Sequence, residues 1–231
     1  VVPYLDVDIE DEDSLSNPFE NEEGMAPIDI AVIRLPRISN FTDVAVFEAH
    51  PAVNLRYVSS SRNFGNPDLI VLPGTENVMD DLLWLRQNGL EARIRKYANH
   101  GGAVFGICGG YQILSNHLSD PLHVERGGEM KGIGLLPGRT VFTREKIKSR
   151  VTGTFSSPEG IFSGLRNLPL QGYEIHMGST DRGNTKSLTT IATEDDTLKE
   201  DGMNLGNVYG SYVHGIFDGK GIVDVILEAL L

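Results

Sequence analysis

Apolar positions along the chain fall into two textures. Short runs of β-branched and aliphatic residues occur at Ile28-Asp29-Ile30-Ala31-Val32-Ile33, at 55–58, at Asp68-Leu69-Ile70-Val71-Leu72 and at 103–107. Pro36 closes the first run and Pro73-Gly74 the third, so they read as strands ended by turns. Between the last two runs, Met79, Leu82, Leu83, Leu85, Leu90, Ile94 and Tyr97 recur at helical spacing. This predicts helix over 78–100, interrupted at Asn88-Gly89. Strands this apolar, alternating with helix, must be covered on both faces. The expected fold class is therefore α/β, with a mostly parallel central sheet flanked by helices. In such sheets the working residues stand where strands end and loops begin, which singles out Gly74 and Cys108.

Beyond residue 130 the texture changes. Strand-like segments at 132–142, 151–155, 171–177, 188–193 and 208–213 are separated by Gly, Pro, Asn and Asp, and only 222–231 is helical again. A strand-rich second half is expected.

Charge redraws the organisation more than the fold. The formal net charge is −12, but residues 1–23 hold nine carboxylates and no Lys or Arg. The rest carries 23 acidic against 20 basic side chains, a net −3. Residues 1–24 are read as an acidic interdomain linker or arm, and 25–231 as one domain. This balance disfavours nucleic acid and anionic membrane surfaces as main partners. No apolar run approaches the roughly 18 residues of a membrane span, and no signal segment opens the chain, so a cytoplasmic location is expected. The chain starts at Val1 rather than Met, which suggests a longer parent.

The single cysteine, Cys108, excludes an intrachain disulfide and a multi-thiolate metal site, and no metal ligands are expected. A lone cysteine is by default a small buried hydrophobe. Its frame argues otherwise: Gly106-Ile107-Cys108-Gly109-Gly110 follows an apolar strand and precedes a helix, as in a nucleophile elbow. There a thiolate gains from the helix N-terminus, and the next amide faces the site of a developing oxyanion. A nucleophilic cysteine needs a base. Of six histidines, His214 is best placed, at the end of Val208-Tyr209-Gly210-Ser211-Tyr212-Val213, with His176 second.

Four segments together carry a resemblance: Leu72-Pro73-Gly74, Gly106 to Gln112, Gly172-Tyr173-Glu174-Ile175-His176-Met177-Gly178 and Tyr212-Val213-His214-Gly215-Ile216-Phe217-Asp218. With Arg34-Leu35-Pro36-Arg37-Ile38-Ser39-Asn40-Phe41-Thr42-Asp43 and the acidic leader, the chain resembles the class I type glutamine amidotransferase domains of cobyric acid synthases. The resemblance implies that Cys108 attacks the side-chain amide of glutamine, with His214 as base and Gly74 and Gly109 as oxyanion donors. Gln112 would lie on the substrate side. It further implies that ammonia passes to an N-terminal synthetase domain of the same chain, which uses ATP and Mg²⁺ to amidate adenosylcobyrinic acid a,c-diamide. The fragment itself would hold no cofactor.

Two positions depart from the family pattern. Ile216 stands where most class I glutaminases place a glutamate two residues after the histidine, which leaves Glu174, Asp218 and His176 as candidates for orienting His214. Glu76 and Val78 stand where the family commonly has Lys and Thr. The competing expectations are a sister amidotransferase, acting on cobyrinic acid or on lipid II, and a non-catalytic docking domain. An intact Cys108 and His214 disfavour the latter.

Overall fold

The computed structural model describes residues 26–231, so the acidic arm expected at 1–24 lies outside the described residues. In chain order the elements are β1 (Ile28–Ile33), α1 (Ala45–Glu48), β2 (Val53–Val58), β3 (Leu69–Leu72), α2 (Val78–Gln87), α3 (Leu90–Asn99), β4 (Ala103–Ile107) and α4 (Gly109–Leu114). Then follow β5 (His117–Asp120), β6 (Gly128–Lys131), β7 (Arg139–Phe155), β8 (Pro169–Asp181), β9 (Thr189–Thr193), β10 (Leu198–Asp201), β11 (Met203–Leu205), β12 (Val208–Ser211), β13 (Val213–His214) and α5 (Ile222–Leu230).

Six strands form the central sheet, in the order β11-β12-β4-β3-β1-β2, and all neighbours but β11 and β12 are parallel. Alternation along each strand divides its side chains between two cores. Ile28, Ile30 and Val32 face the layer that holds Phe47, Phe217 and Ile226, whereas Ala31 and Ile33 face Leu82, Leu85 and Ile94 of the α2–α3 pair. Both layers are apolar, so the strands carry hydrophobic residues on both sides. Each fully buried aliphatic side chain contributes roughly 1.5–3 kcal/mol.

The predicted helical stretch is two helices, as its interruption implies. Asn77 caps α2 by accepting the Asp80 N–H at 2.9 Å, and Gly89, at φ 72°, makes the left-handed turn into α3. The second half differs in detail from expectation. Residues 139–155 form one 17-residue strand with an irregularity between Val141 and Lys146, whereas separate strands over 132–142 and 151–155 were expected. Residues 132–138 are a loop. β5 and β10 are short, polar and only part-buried, and β11 is only three residues long, so their alternation left no readable signal.

These strands build a mostly antiparallel second sheet, in the order β10-β9-β7-β5-β6, with β8 paired to β7. One chain segment ties the sheets together. β12 runs parallel to β4 in the central sheet, and after Tyr212 the chain pairs with β8 as β13. His214 thus stands where the two sheets meet.

Candidate active site

Three neighbouring strands of the central sheet, β3, β4 and β12, deliver Gly74, Cys108 and His214 to one edge. They are adjacent and parallel, so their carboxyl ends converge there. Cys108 occupies φ 50°, ψ −110°, outside the regions favoured by side chains with a Cβ. The conformation is held from both sides: Cys108 N–H donates to Ser211 O at 2.8 Å, and Gln112 N–H donates to Cys108 O at 3.0 Å. The glycines of the elbow are required by contact. A Cβ on Gly110 would lie 2.0 Å from Leu72 O, and one on Gly106 would lie 2.8 Å from the Gly110 carbonyl. The thiol is 93% buried and its Sγ stands 3.5 Å from Ile175 O, at the floor of a cavity of about 640 Å³.

His214 is buried against that thiol. Its Nδ1 lies 2.7 Å from Asp43 Oδ2, and the other oxygen of Asp43 accepts the Gly215 N–H at 2.8 Å. The Asn40 side-chain amide is 2.9 Å from the same ring nitrogen. Tyr173 stacks on the imidazole at a centroid distance of 5.2 Å. Burial alone would lower the His214 pKa, but the Asp43 hydrogen bond, then the Cys108 contact, outweigh it and push the pKa up to about 10.

The expected orienting residues lie elsewhere. Glu174 pairs with Lys199 Nζ at 2.5 Å and with His176 Nε2 at 3.8 Å, not with His214. Asp218 closes the turn after His214, its N–H donating to Gly215 O at 3.0 Å. His176 donates from Nδ1 to Gly178 O at 3.0 Å and stacks on Tyr212, while its Nε2 has no hydrogen-bond partner. The partner of Nδ1 is Asp43, from the single turn Phe41–Val44 that follows β1. The segment Ser39-Asn40-Phe41-Thr42-Asp43 was visible in the resemblance, but nothing local assigned its aspartate to a histidine 171 residues away.

Gly74 packs so closely on the site that a Cβ there would lie 3.0 Å from His214 Cε1. Gly109 opens α4, where an N–H has no intrahelical acceptor, and a Cβ on it would meet Thr75 N at 2.9 Å. Gln112 spends its amide protons on Met177 O and the Tyr212 hydroxyl, at 3.0 and 3.1 Å, which locks one wall of the cavity. The opposite wall is anchored by buried Asp81, which takes Arg37 Nη1 at 2.9 Å and Thr75 Oγ1 at 2.5 Å.

Charges of both signs line the cavity: Glu76, Glu125 and Lys146. Val78, at one departing position, gives its N–H to Glu125, as does Met79, at 3.1 and 2.9 Å. Burial, reinforced by Asp120 and Asp80 against those two N–H groups, raises the Glu125 carboxyl to about 7. Among the described residues no group of three or more His, Cys, Asp or Glu side chains is arranged to hold a metal ion.

Residues 29–222 match the CobB/CobQ-like glutamine amidotransferase domain. A cobyric acid synthase of Ruminiclostridium cellulolyticum is 54% identical over all of this chain and 46% of its own length, and one of Clostridium acetobutylicum is 43% identical over all of this chain and 45% of its own. The chain thus spans about half the length of the curated relatives it matches. Among solved structures, PurLQS from Thermotoga maritima superposes with a TM-score of 0.67 at 20% identity, covering 89% of this chain and 100% of that one. A glutamine amidotransferase from the same organism gives 0.55 at 15% identity, covering 88% and 82%. At these identities the structural likeness concerns the fold. With the family match spanning most of its length, the chain belongs to the CobB/CobQ-like glutamine amidotransferase domain family.

Proposed function

We propose that this domain hydrolyses glutamine to glutamate and ammonia through a thioester on Cys108. The observation that carries the reading is the sequence of contacts from Cys108 to His214 to Asp43 at the floor of one cavity. His214, whose raised pKa favours the imidazolium, holds the proton given up by the thiol, and Sγ adds to the side-chain amide carbon of glutamine. The resulting oxyanion is met by the N–H groups of Gly109 and Gly74, each such donor being worth about 10²–10³ in rate. The imidazolium then gives its proton to the departing nitrogen, which leaves as ammonia, and the carbonyl remains on sulfur. His214 next removes a proton from water, which attacks the thioester and frees glutamate and the thiol. Asp43 holds the ring through Nδ1 and stabilises the imidazolium in both halves.

The cavity suits a zwitterion. Glu125 and Glu76 offer carboxylates to the α-ammonium group, and Lys146 offers its ammonium to the α-carboxylate. In the whole protein, ammonia would pass to a synthetase domain of the same chain, which binds ATP and Mg²⁺ and amidates adenosylcobyrinic acid a,c-diamide. Full-chain matches to cobyric acid synthases support this reading over the sister amidotransferases. Among the described residues no helix is long and apolar enough to cross a membrane, and the proposed location is the cytoplasm.

The test is labelling with a glutamine-mimicking diazo-ketone followed by peptide mapping. Modification of Cys108, absent in Cys108→Ser together with glutaminase turnover, is expected. Label on another residue, or turnover in the serine variant, would overturn the mechanism.

A further inference from the structure

A row of cations runs along β7 beside the cavity, which Lys146 lines. Lys146, Lys148 and Arg150 occupy every second position of β7, so their side chains leave the same face of the strand. Opposite them on β8 stand Met177, Ile175 and Tyr173, three residues that line the cavity. The three cations are exposed, and among the described residues none of them forms an ion pair.

The backbone beside this row is also open. β5 pairs with β7 over 139–141 and β9 pairs with it over 151–155, while β8 takes the other side. Between those contacts the outer edge of β7 meets no strand among the described residues. An uncovered edge presents a row of N–H and C=O groups to any segment that can lie along it.

The charge that matches this strip is in the same chain. Residues 1–23 hold nine carboxylates and no base, and Asp6, Asp8 and Glu10 recur at the two-residue interval of the cations. In extended backbone that interval is about 6.6–6.8 Å on both sides. The remaining residues are nearly balanced at −3, so the leader is the concentrated source of negative charge. Reach is not limiting. The described residues begin at Ala26, and 23 residues can span up to about 75–80 Å, against a radius of gyration of about 17 Å for a domain of this size.

We propose that the acidic segment 1–23 docks on the Lys146, Lys148 and Arg150 row. The inference shares Lys146 with the proposed glutamine site, but it rests on charge placement and an open strand edge rather than on that reading. Cations on a strand edge also serve simply to prevent unwanted pairing, and that role needs no acidic partner. The two are separable by experiment.

Zero-length carbodiimide cross-linking of the intact chain, with an equal mixture of ¹⁴N and ¹⁵N protein and peptide mass spectrometry, is the test. Amide links from carboxylates of 1–23 to Lys146 and Lys148 should exceed those to exposed Lys96, Lys186 and Lys220 by about fivefold or more, within single copies. They should fall severalfold at about 0.5 M salt, where the Debye length is only some 4 Å. The same loss is expected in Arg150→Glu, which keeps both reporting lysines, and in Asp6→Asn/Asp8→Asn/Glu10→Gln. The salt series on the unsubstituted chain gives a reading that does not depend on any variant folding. Links spread evenly over all exposed lysines, links that survive salt, or links mainly between light and heavy copies would overturn the proposal.

Discussion

Asp43 and His214 are 171 residues apart in the chain and meet through a 2.7 Å contact between Oδ2 and Nδ1. The same carboxylate also accepts the Gly215 N–H, so it holds both the ring and the backbone that carries it. The orienting partner was sought in the sequence at Glu174, Asp218 and His176, while Ile216, at the position most class I glutaminases give to a glutamate, is buried in the core. A buried carboxylate of this kind both orients the imidazole and favours its charged form.

Asp43→Asn should keep the fold and much of the ring's placement but remove the charge. Expected are a fall in kcat of about 10²–10⁴ with little change in KM, and a His214 pKa returning toward the ordinary imidazole range. Steady-state kinetics and NMR titration of the imidazole check the two. An unchanged imidazole pKa would show that the carboxylate does not set the ring's charge.

Stability should follow the same group. The folded His214 pKa, about 10, lies above the unfolded value near 6.5, so protonation favours the native state. The contribution is complete below about pH 6.5 and is lost as pH rises through about 10, amounting to about 3–5 kcal/mol. Urea unfolding at pH 6.5, 8 and 10 should show this decline in the unsubstituted chain. In His214→Gln the decline should be smaller by that amount.

The two glycines beside the site should respond differently. Gly110→Ala places a Cβ 2.0 Å from Leu72 O, and backbone must move, which should cost about 2–4 kcal/mol and abolish activity. Gly74→Ala meets His214 Cε1 at 3.0 Å, so a small ring shift should lower kcat about 10- to 100-fold with most stability retained. Thermal melts set beside kcat separate the cases.

Glu125 predicts a pH dependence for substrate binding. Its carboxyl ionises at about 7, and only the ionised form attracts an α-ammonium group. The KM for glutamine should therefore fall as pH rises through 7, and Glu125→Gln should flatten that profile at a KM raised about 10- to 100-fold. The analogue lacking the α-amino group should show neither effect. An equal response of both substrates would remove Glu125 from ammonium recognition.

Much of this architecture was legible from local pattern. The β-branched runs ending at Pro36 and Pro73-Gly74, the break at Asn88-Gly89 and the small residues flanking Cys108 each follow from short-range sterics and solvent exclusion. They survive into the fold because nothing distant opposes them. Patterning failed where strands are short and polar, as at β5 and β10, or only three residues long, as at β11, or where one strand changes partners along its length, as β7 does. In those places pairing comes from neighbours far away in the chain.

The same division runs through the site. Residue types and turn chemistry alone single out Cys108 on its strained turn and His214 after an apolar strand, because an elbow is built within five residues. The third partner is not a local property. Asp43 finds His214 only because β1 and β12 belong to one parallel sheet, whose carboxyl ends bring the loop after one strand beside the end of another. Glu174, adjacent in sequence to residues lining the cavity, is instead held by Lys199 at 2.5 Å and His176 at 3.8 Å. Spacing along the chain sets which face a side chain occupies. Which charged group waits on that face is set by packing, where a buried imidazolium requires a carboxylate close enough to compensate for lost water.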